Sequence, residues 1–152
     1  MPVVIAPERP DTTEATRLVE ELEAALEPLY PRESRHGLSI AQLISEQVAF
    51  FVIRVDHAPA GCGGVKLVGT AYGELKRMYV RPQYRGQGLG ALLIEHLAGY
   101  ALARGVPLLR LETGIHQHEA IRLYQRAGFR QIPPFGHYQP DPLSLFLEKR
   151  LR

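Results

Sequence analysis

A single cysteine, Cys62, leaves the chain without a partner for an internal disulfide. The sequence also lacks any run of about 18 uninterrupted apolar residues, the length that a membrane-spanning helix needs, so we expect no membrane partner. Its first residues, "MPVVIAPERPD", lack the basic region and the longer apolar core of a signal peptide. Together these absences favour a folded protein of the cytoplasm.

Neither sign of charge dominates, because 18 Lys and Arg stand against 16 Asp and Glu, for a formal net charge of +2. The long-range field that draws proteins to nucleic acids is therefore weak, and we expect no nucleic-acid partner. Basic residues do cluster just before a glycine-rich segment, which suits a small anion better than a duplex. At 152 residues, the chain has the length of one domain over 1–152.

Hydrophobic periodicity predicts an α/β fold with the order β-α-α-β-β-β-α-β-α-β-β, a mixed sheet covered by helices on both faces. Asp11 and Glu14 match a capping-box pattern at the start of the first helix. The predicted strands lie at 2–6, 48–55, 62–68, 72–80, 107–113, 129–132 and 144–151, and the helices at 11–30, 38–44, 89–104 and 118–127. On the helix at 89–104, the residues expected to face inward are Leu89, Leu92, Leu93, Leu97, Tyr100 and Ala101.

The glycine-rich segment "RGQGLG", at 85–90, lies between a predicted strand and the helix at 89–104. Glycine lets the backbone approach a ligand closely, and several backbone N–H groups can point at one anion there. The positive end of the helix dipole favours the same anion. The pyrophosphate of coenzyme A is such a ligand.

A dinucleotide is the alternative ligand, since Gly86, Gly88 and Ala91 match the relaxed G-x-G-x-x-A pattern and Glu112 could bind a ribose. A dinucleotide loop turns tightly out of its strand, however, whereas the five residues "RPQYR" separate this strand from the glycines. The preceding strands are also consecutive rather than joined by helices. A P-loop is excluded because no Gly-Lys-Ser/Thr follows.

The sequence resembles the GNAT N-acetyltransferase superfamily, whose motif Arg/Gln-x-x-Gly-x-Gly/Ala is matched by Arg85, Gly88 and Gly90. The segments "GELKRMYVRPQYRGQGLGALLIEHL" and "LETGIHQHEAIRLYQRAGFRQI" are similar in order and spacing to the two central motif blocks of that family. Within the family, "AGCG", "GELKRM" and "LETG" give a closer likeness to small bacterial stand-alone acetyltransferases.

This resemblance covers residues 47–132 well and implies the GNAT acyl-CoA N-acyltransferase fold. It also implies an enzyme that moves an acetyl group from acetyl-CoA, its co-substrate, to a primary amine by direct attack in a ternary complex. A small-molecule or amino-acid-like acceptor is expected. A protein lysine or N-terminal acetyltransferase and a non-catalytic acyl-CoA binding module remain alternatives, and a homodimer is left open.

Two side chains are candidate catalytic groups. Tyr124 matches the tyrosine that faces the coenzyme A sulfur in the family, and its phenol can donate a proton to the leaving thiolate. Glu74 corresponds to a strand glutamate that is the general base in some members, acting directly or through a water. From periodicity alone, Tyr124 would pack against the sheet, and Glu74 would pair with Lys76 on the same strand face.

The resemblance also implies the coenzyme contacts. A bulge near Tyr79 or Val80 would free a backbone amide for the oxyanion, and Gln117 stands where many relatives have asparagine. The expected coenzyme-binding residues are Met78, Tyr79, Val80, Arg85, Gly86, Gln87, Gly88, Leu89, Gly90, Gln117, Ala120 and Tyr124.

Two loops, "YPRESRHG" and "PFGHYQ", are the candidate acceptor site, because their charged and aromatic side chains suit a zwitterionic small amine. They could equally be surface turns. The candidate residues are Tyr30, Glu33, Arg35, His36, Phe135 and Tyr138. We expect no metal, since His116, His118 and Glu119 lack further ligands at metal spacing.

Overall fold

The computed structural model describes residues 2–152. Its strands and helices follow one another in the predicted order, so the α/β fold class is confirmed. They are β1 (Val3–Pro7), α1 (Thr13–Leu26), α2 (Ile40–Ser45), β2 (Ala49–Val55), β3 (Ala58–Val68), β4 (Tyr72–Val80), α3 (Leu89–Ala103), β5 (Leu108–Gly114), α4 (His118–Arg126), β6 (Arg130–Ile132) and β7 (Ser144–Arg150), with short 3-10 turns at Arg32–Ser34 and Pro82–Tyr84.

The strands form one seven-stranded sheet in the order β1-β2-β3-β4-β5-β7-β6. All neighbours are antiparallel except β4 and β5, which are parallel and joined through α3. These two strands pair only at Gly73 with Leu109 and at Glu74 with Arg110. Beyond that point they separate, which opens the middle of the sheet towards the carboxyl ends of both strands.

A β-bulge interrupts the pairing of β3 with β4 at Arg77 and Met78, and Arg77 has a φ of 54°. The bulge lies just before residues 79–80, where we expected it. The Arg77 side chain accounts for the position: Nε donates to the Leu38 carbonyl at 3.0 Å, and Nη1 donates to Glu23 at 2.8 Å. These contacts from outside the strand hold a backbone conformation that residues with a side chain rarely adopt.

Helices cover both faces of the sheet, as predicted. Side chains alternate along a strand, so Phe50 packs under α1 and α2 while Phe51 packs under α3. Leu18 in one layer and Leu97 in the other are among the fully buried side chains. No helix within residues 2–152 has the length and apolar character needed to span a membrane.

Two local predictions were wrong. Thr12, not Asp11, caps α1: its Oγ1 accepts the Ala15 N–H at 3.2 Å, whereas Asp11 binds Arg9. Leu92 was expected to face inward on α3, but it is 42% exposed. An almost wholly apolar helix does not reveal from its sequence which side faces the sheet.

Candidate active site

An open cleft of about 1160 Å³ lies where β4 and β5 separate. The end of β4 and the glycine loop form one side, and α4 forms the other. Apolar side chains of α1 and the segment after it complete the lining: Leu22, Ala25, Leu26 and Leu29. Such a long groove suits an extended ligand.

The backbone at the outer end of the cleft has features that suit an anion. Gly88 caps α3 with a φ of 79° and offers no side chain to the first-turn N–H groups. These groups have no partner within the helix, and they form its positive end. Gly86 also has a positive φ, of 81°, so the two glycines permit a turn that other residues would strain.

Arginines surround the same end. Arg85 lines the cleft, with its Nε bonded to the Val80 carbonyl at 3.0 Å. Arg122 and Arg126 of α4 line it as well. Neither arginine was predicted to bind the ligand, although a spacing of four residues places both on one face of the helix, which was the available signal.

Among the expected coenzyme-binding residues of the glycine loop, Gly90 also has a packing role, and Gln87 does not line the cleft. A Cβ on Gly90 would lie 2.6 Å from Leu123 Cδ2, so Gly90 has a packing reason of its own, the approach of α3 to α4. Gln87 is exposed and is not part of the cleft lining. Gly90 and Leu89 both line the cleft, and the Leu89 side chain is buried.

A second cavity, of about 80 Å³, adjoins the inner end of the cleft. We call it the acceptor cavity. Met78, Gln117 and Tyr124 line both spaces, and so do two leucines of α1. A group at the inner end of the cleft would therefore meet a small molecule in the acceptor cavity at these side chains.

Tyr124 lies at this junction with 6% of its surface exposed. Burial raises the pKa of its phenol well above the usual value, and the nearby carboxylate of Glu112 raises it further. The phenol is therefore protonated at neutral pH and can act as a donor.

Glu112, on β5, also lines the acceptor cavity. Burial raises the pKa of its carboxyl to about 7, although a hydrogen bond from Ser144 Oγ at 2.8 Å opposes the shift. A carboxyl group with this pKa is half ionised at neutral pH and suited to accepting a proton. From the sequence, Glu112 was a candidate only for ribose binding. Its position at the end of the largely apolar strand "LLRLET" was the signal that could have indicated a buried carboxylate.

Glu74, the candidate base of the sequence analysis, is buried beside the acceptor cavity but does not line it. Its Oε2 lies 2.8 Å from Lys76 Nζ and accepts a hydrogen bond from the Tyr138 hydroxyl. Lys76 thus shares the strand face of Glu74, as period two indicated. A carboxylate held by two partners is less available for proton transfer than Glu112.

The structure brings four of the six candidate acceptor residues to the acceptor cavity: Tyr30, Arg35, His36 and Tyr138. Glu33 does not reach it, because it is exposed in a 3-10 turn. Phe135 does not reach it either, because its buried ring packs edge-on against Tyr72, Tyr138 and Phe146. The two loops are joined where Ser34 Oγ donates to Asp141 at 2.7 Å.

Gly114 fixes Tyr30 in the acceptor cavity. A Cβ at Gly114 would lie 1.9 Å from the Tyr30 hydroxyl oxygen, which accepts the His116 N–H at 3.0 Å. We expect Gly114→Ala to lower the free energy of unfolding by about 1–3 kcal/mol, the usual cost of overpacking. Gly99→Ala is the control: nothing lies within 4 Å of that site on α3, so stability should rise by about 0.5–1 kcal/mol. Urea denaturation measures the free energy of unfolding of both variants. Equal changes in the two would contradict the close contact between Gly114 and Tyr30.

Among residues 2–152, no three His, Cys, Asp or Glu side chains lie together as ligands for a metal ion. Cys62 is buried, with Sγ bonded to the Arg77 carbonyl, and burial raises the pKa of its thiol to about 12. Its thiolate is therefore scarce at neutral pH, which argues against Cys62 as a nucleophile.

Comparison with known proteins identifies the family. The sequence profile of the acetyltransferase (GNAT) family matches residues 15–129. An IAA acetyltransferase from Azospirillum brasilense is 43% identical over 150 residues, which cover 98% of each chain. The uncharacterized N-acetyltransferase YsnE of Bacillus subtilis (strain 168) is 32% identical over 136 residues, which cover 88% of this chain and 90% of YsnE.

Among solved structures, a candidate acyl-CoA N-acyltransferase from Klebsiella pneumoniae subsp. pneumoniae matches with a TM-score of 0.87 at 40% identity. The match covers 99% of this chain and 98% of that one. Both the fold and the likeness to small bacterial stand-alone acetyltransferases are therefore confirmed. The chain belongs to the GNAT family of acetyltransferases.

Proposed function

We propose that this protein transfers the acetyl group of acetyl-CoA to the primary amine of a small acceptor by direct attack in a ternary complex. One observation carries the proposal: Met78, Gln117 and Tyr124 line both the long cleft and the acceptor cavity. A thioester at the end of the cleft and an amine in the cavity would meet beside a phenol. Direct attack needs such a meeting point.

The residues of the cleft fit coenzyme A along its length. The N-terminus of α3, with Arg85, Arg122 and Arg126, would hold the phosphate groups. The pantetheine arm would follow residues 78–80. Gln117 would donate its side-chain N–H to an amide of that arm, since its Oε1 already accepts the Gly114 N–H at 3.0 Å.

The acetyl transfer would use two titratable side chains. Glu112 would take the proton from the acceptor amine, whose nitrogen then attacks the thioester carbonyl carbon. A backbone N–H of β4 beyond Glu74, where β5 no longer pairs with that strand, would stabilise the oxyanion. As the C–S bond breaks, Tyr124 would donate its proton to the sulfur, giving free coenzyme A and the acetylated amine.

The size of the acceptor cavity favours a small molecule over a protein. At about 80 Å³, the cavity holds a few non-hydrogen atoms, and side chains of both loops, Tyr30, Arg35, His36 and Tyr138, contribute to its lining. IAA, after which the Azospirillum relative is named, is tested separately as an acceptor outside the primary amines.

The decisive experiment measures thiol release from acetyl-CoA with a panel of small primary amines, IAA and a lysine-containing peptide. We expect release with at least one small amine and slower release with the peptide. Tight binding of coenzyme A without release for any acceptor would support a binding module and overturn the proposal. Faster release with the peptide would favour a protein acetyltransferase.

A further inference from the structure

An excess of positive charge lies on one side of the acceptor cavity. Arg35 and Arg77 both line the cavity, and they share a single carboxylate: Arg35 Nη1 lies 3.0 Å from Oε1 of Glu23, and Arg77 Nη1 lies 2.8 Å from Oε2. Two guanidinium groups thus face one counter-charge, which leaves one positive charge without an ionic partner there.

Arg35 also has an unused hydrogen-bond donor. Its Nε is buried and has no acceptor among residues 2–152. Arg77, by contrast, uses its Nε on the Leu38 carbonyl. A buried guanidinium donor without an acceptor is unfavourable, so a ligand that supplied an acceptor would be favoured.

One further carboxylate lies near this side, but it has other partners: Asp141 accepts the Ser34 hydroxyl bond at 2.7 Å and lies 4.0 Å from His36 Nε2. Lys76 lines the cavity as a third cation, paired with Glu74. Glu112 is the single carboxylate within the described lining, and its role as base would place it at the amine. The cavity therefore has a proton-accepting carboxylate, Glu112, at one end and a cation, Arg35, at the other.

We propose that the acceptor is a small amino carboxylate, whose carboxylate binds Arg35 while its amine faces Glu112. This inference rests on the proposed function and specifies its substrate class. A carboxylate matches the planar fork of a guanidinium in two parallel hydrogen bonds. It is also smaller than a phosphate, which suits a cavity of about 80 Å³.

Matched acceptors test the carboxylate. Each amino carboxylate is compared by thiol release with its neutral amide, with the amine that lacks the group, and with the corresponding aminophosphonate. We expect kcat/KM to be roughly 10- to 100-fold higher for the carboxylate than for the amide, as one charge-assisted bond implies. Equal values for all four forms would overturn the inference and leave the proposed function intact. Preference for the phosphonate would overturn the choice of carboxylate.

Variants then locate the binding group. Arg35→Gln should raise KM for the amino carboxylate roughly 10-fold or more and remove the preference over the amide, with KM for acetyl-CoA unchanged. Arg35→Lys should restore part of the preference through its charge. The control is Arg32→Gln, because Arg32 is an exposed arginine of the same loop. This variant should change neither the KM for the amino carboxylate nor the preference over the amide. If Arg35→Gln is folded and still prefers the carboxylate over the amide, Arg35 is excluded as the residue that binds the carboxylate. No release with any amine would overturn both proposals.

Discussion

Tyr124→Phe is expected to lower kcat about 100-fold while the dissociation constant of coenzyme A stays within about twofold. General-acid groups contribute about 10²- to 10⁴-fold. The substitution removes one hydroxyl and keeps the ring, which packs against Phe129 with centroids 5.6 Å apart. The cleft should therefore keep its shape while the departing sulfur loses its proton donor.

Steady-state thiol release and calorimetric titration with coenzyme A separate these two quantities. Tyr100→Phe provides the matched control, because Tyr100 lies on α3 with its ring against Arg104 and is not among the residues that line the cleft. It should retain full turnover. Unchanged turnover in Tyr124→Phe would remove Tyr124 as the acid, and a large loss of coenzyme A binding would indicate a structural role instead.

Glu112→Gln is expected to lower kcat by about 10²- to 10³-fold, within the range of general-base catalysis. The pKa of Glu112 is about 7, so the carboxylate form predominates above that pH. Wild-type kcat should therefore fall as the pH drops below 7, and this acidic limb should be absent from the variant. Ionisation of the acceptor amine is common to both proteins, so the difference between the two profiles isolates Glu112.

Stability provides an independent check on the same residue. The pKa of Glu112 is raised in the folded protein from an ordinary value of 4.5, so the folded state binds the proton more tightly than the unfolded state. Ionised Glu112 therefore destabilises the fold progressively from about pH 4.5 to pH 7, and fully above that. Glu112→Gln should accordingly melt higher than wild type at pH 8, although its kcat is expected to be lower. A lower melting temperature would show that the lost activity reflects unfolding.

Glu74→Gln distinguishes the two carboxylates. Glu74 neutralises Lys76 and accepts the Tyr138 hydroxyl bond, so its loss should destabilise the β6–β7 loop and raise KM for the acceptor. The acidic limb of the pH profile should persist, because Glu112 is unchanged. If Glu74→Gln loses the acidic limb of the kcat–pH profile and Glu112→Gln keeps it, Glu74 is the general base instead of Glu112.

Much of the fold was predictable because local patterns determine it. Alternating apolar residues produced the strands, and the apolar stripe of α1 produced the first helix. The glycine loop was predictable too, since positive φ at Gly86 and Gly88 requires a residue without a side chain. Tyr124 was found through the motif block around it, and the structure places it where the cleft and the acceptor cavity meet.

The sequence by itself determined the order of the elements, the glycine loop before α3 and the family. The sequence does not show whether Glu74 or Glu112 is the general base, because each is a single carboxylate in a strand with many apolar residues. Only the tertiary structure decided their surroundings: Tyr138, 64 residues from Glu74, holds that carboxylate, while Glu112 faces the acceptor cavity with one hydroxyl partner. A carboxyl pKa depends on burial and on neighbouring charges, and distant segments supply both.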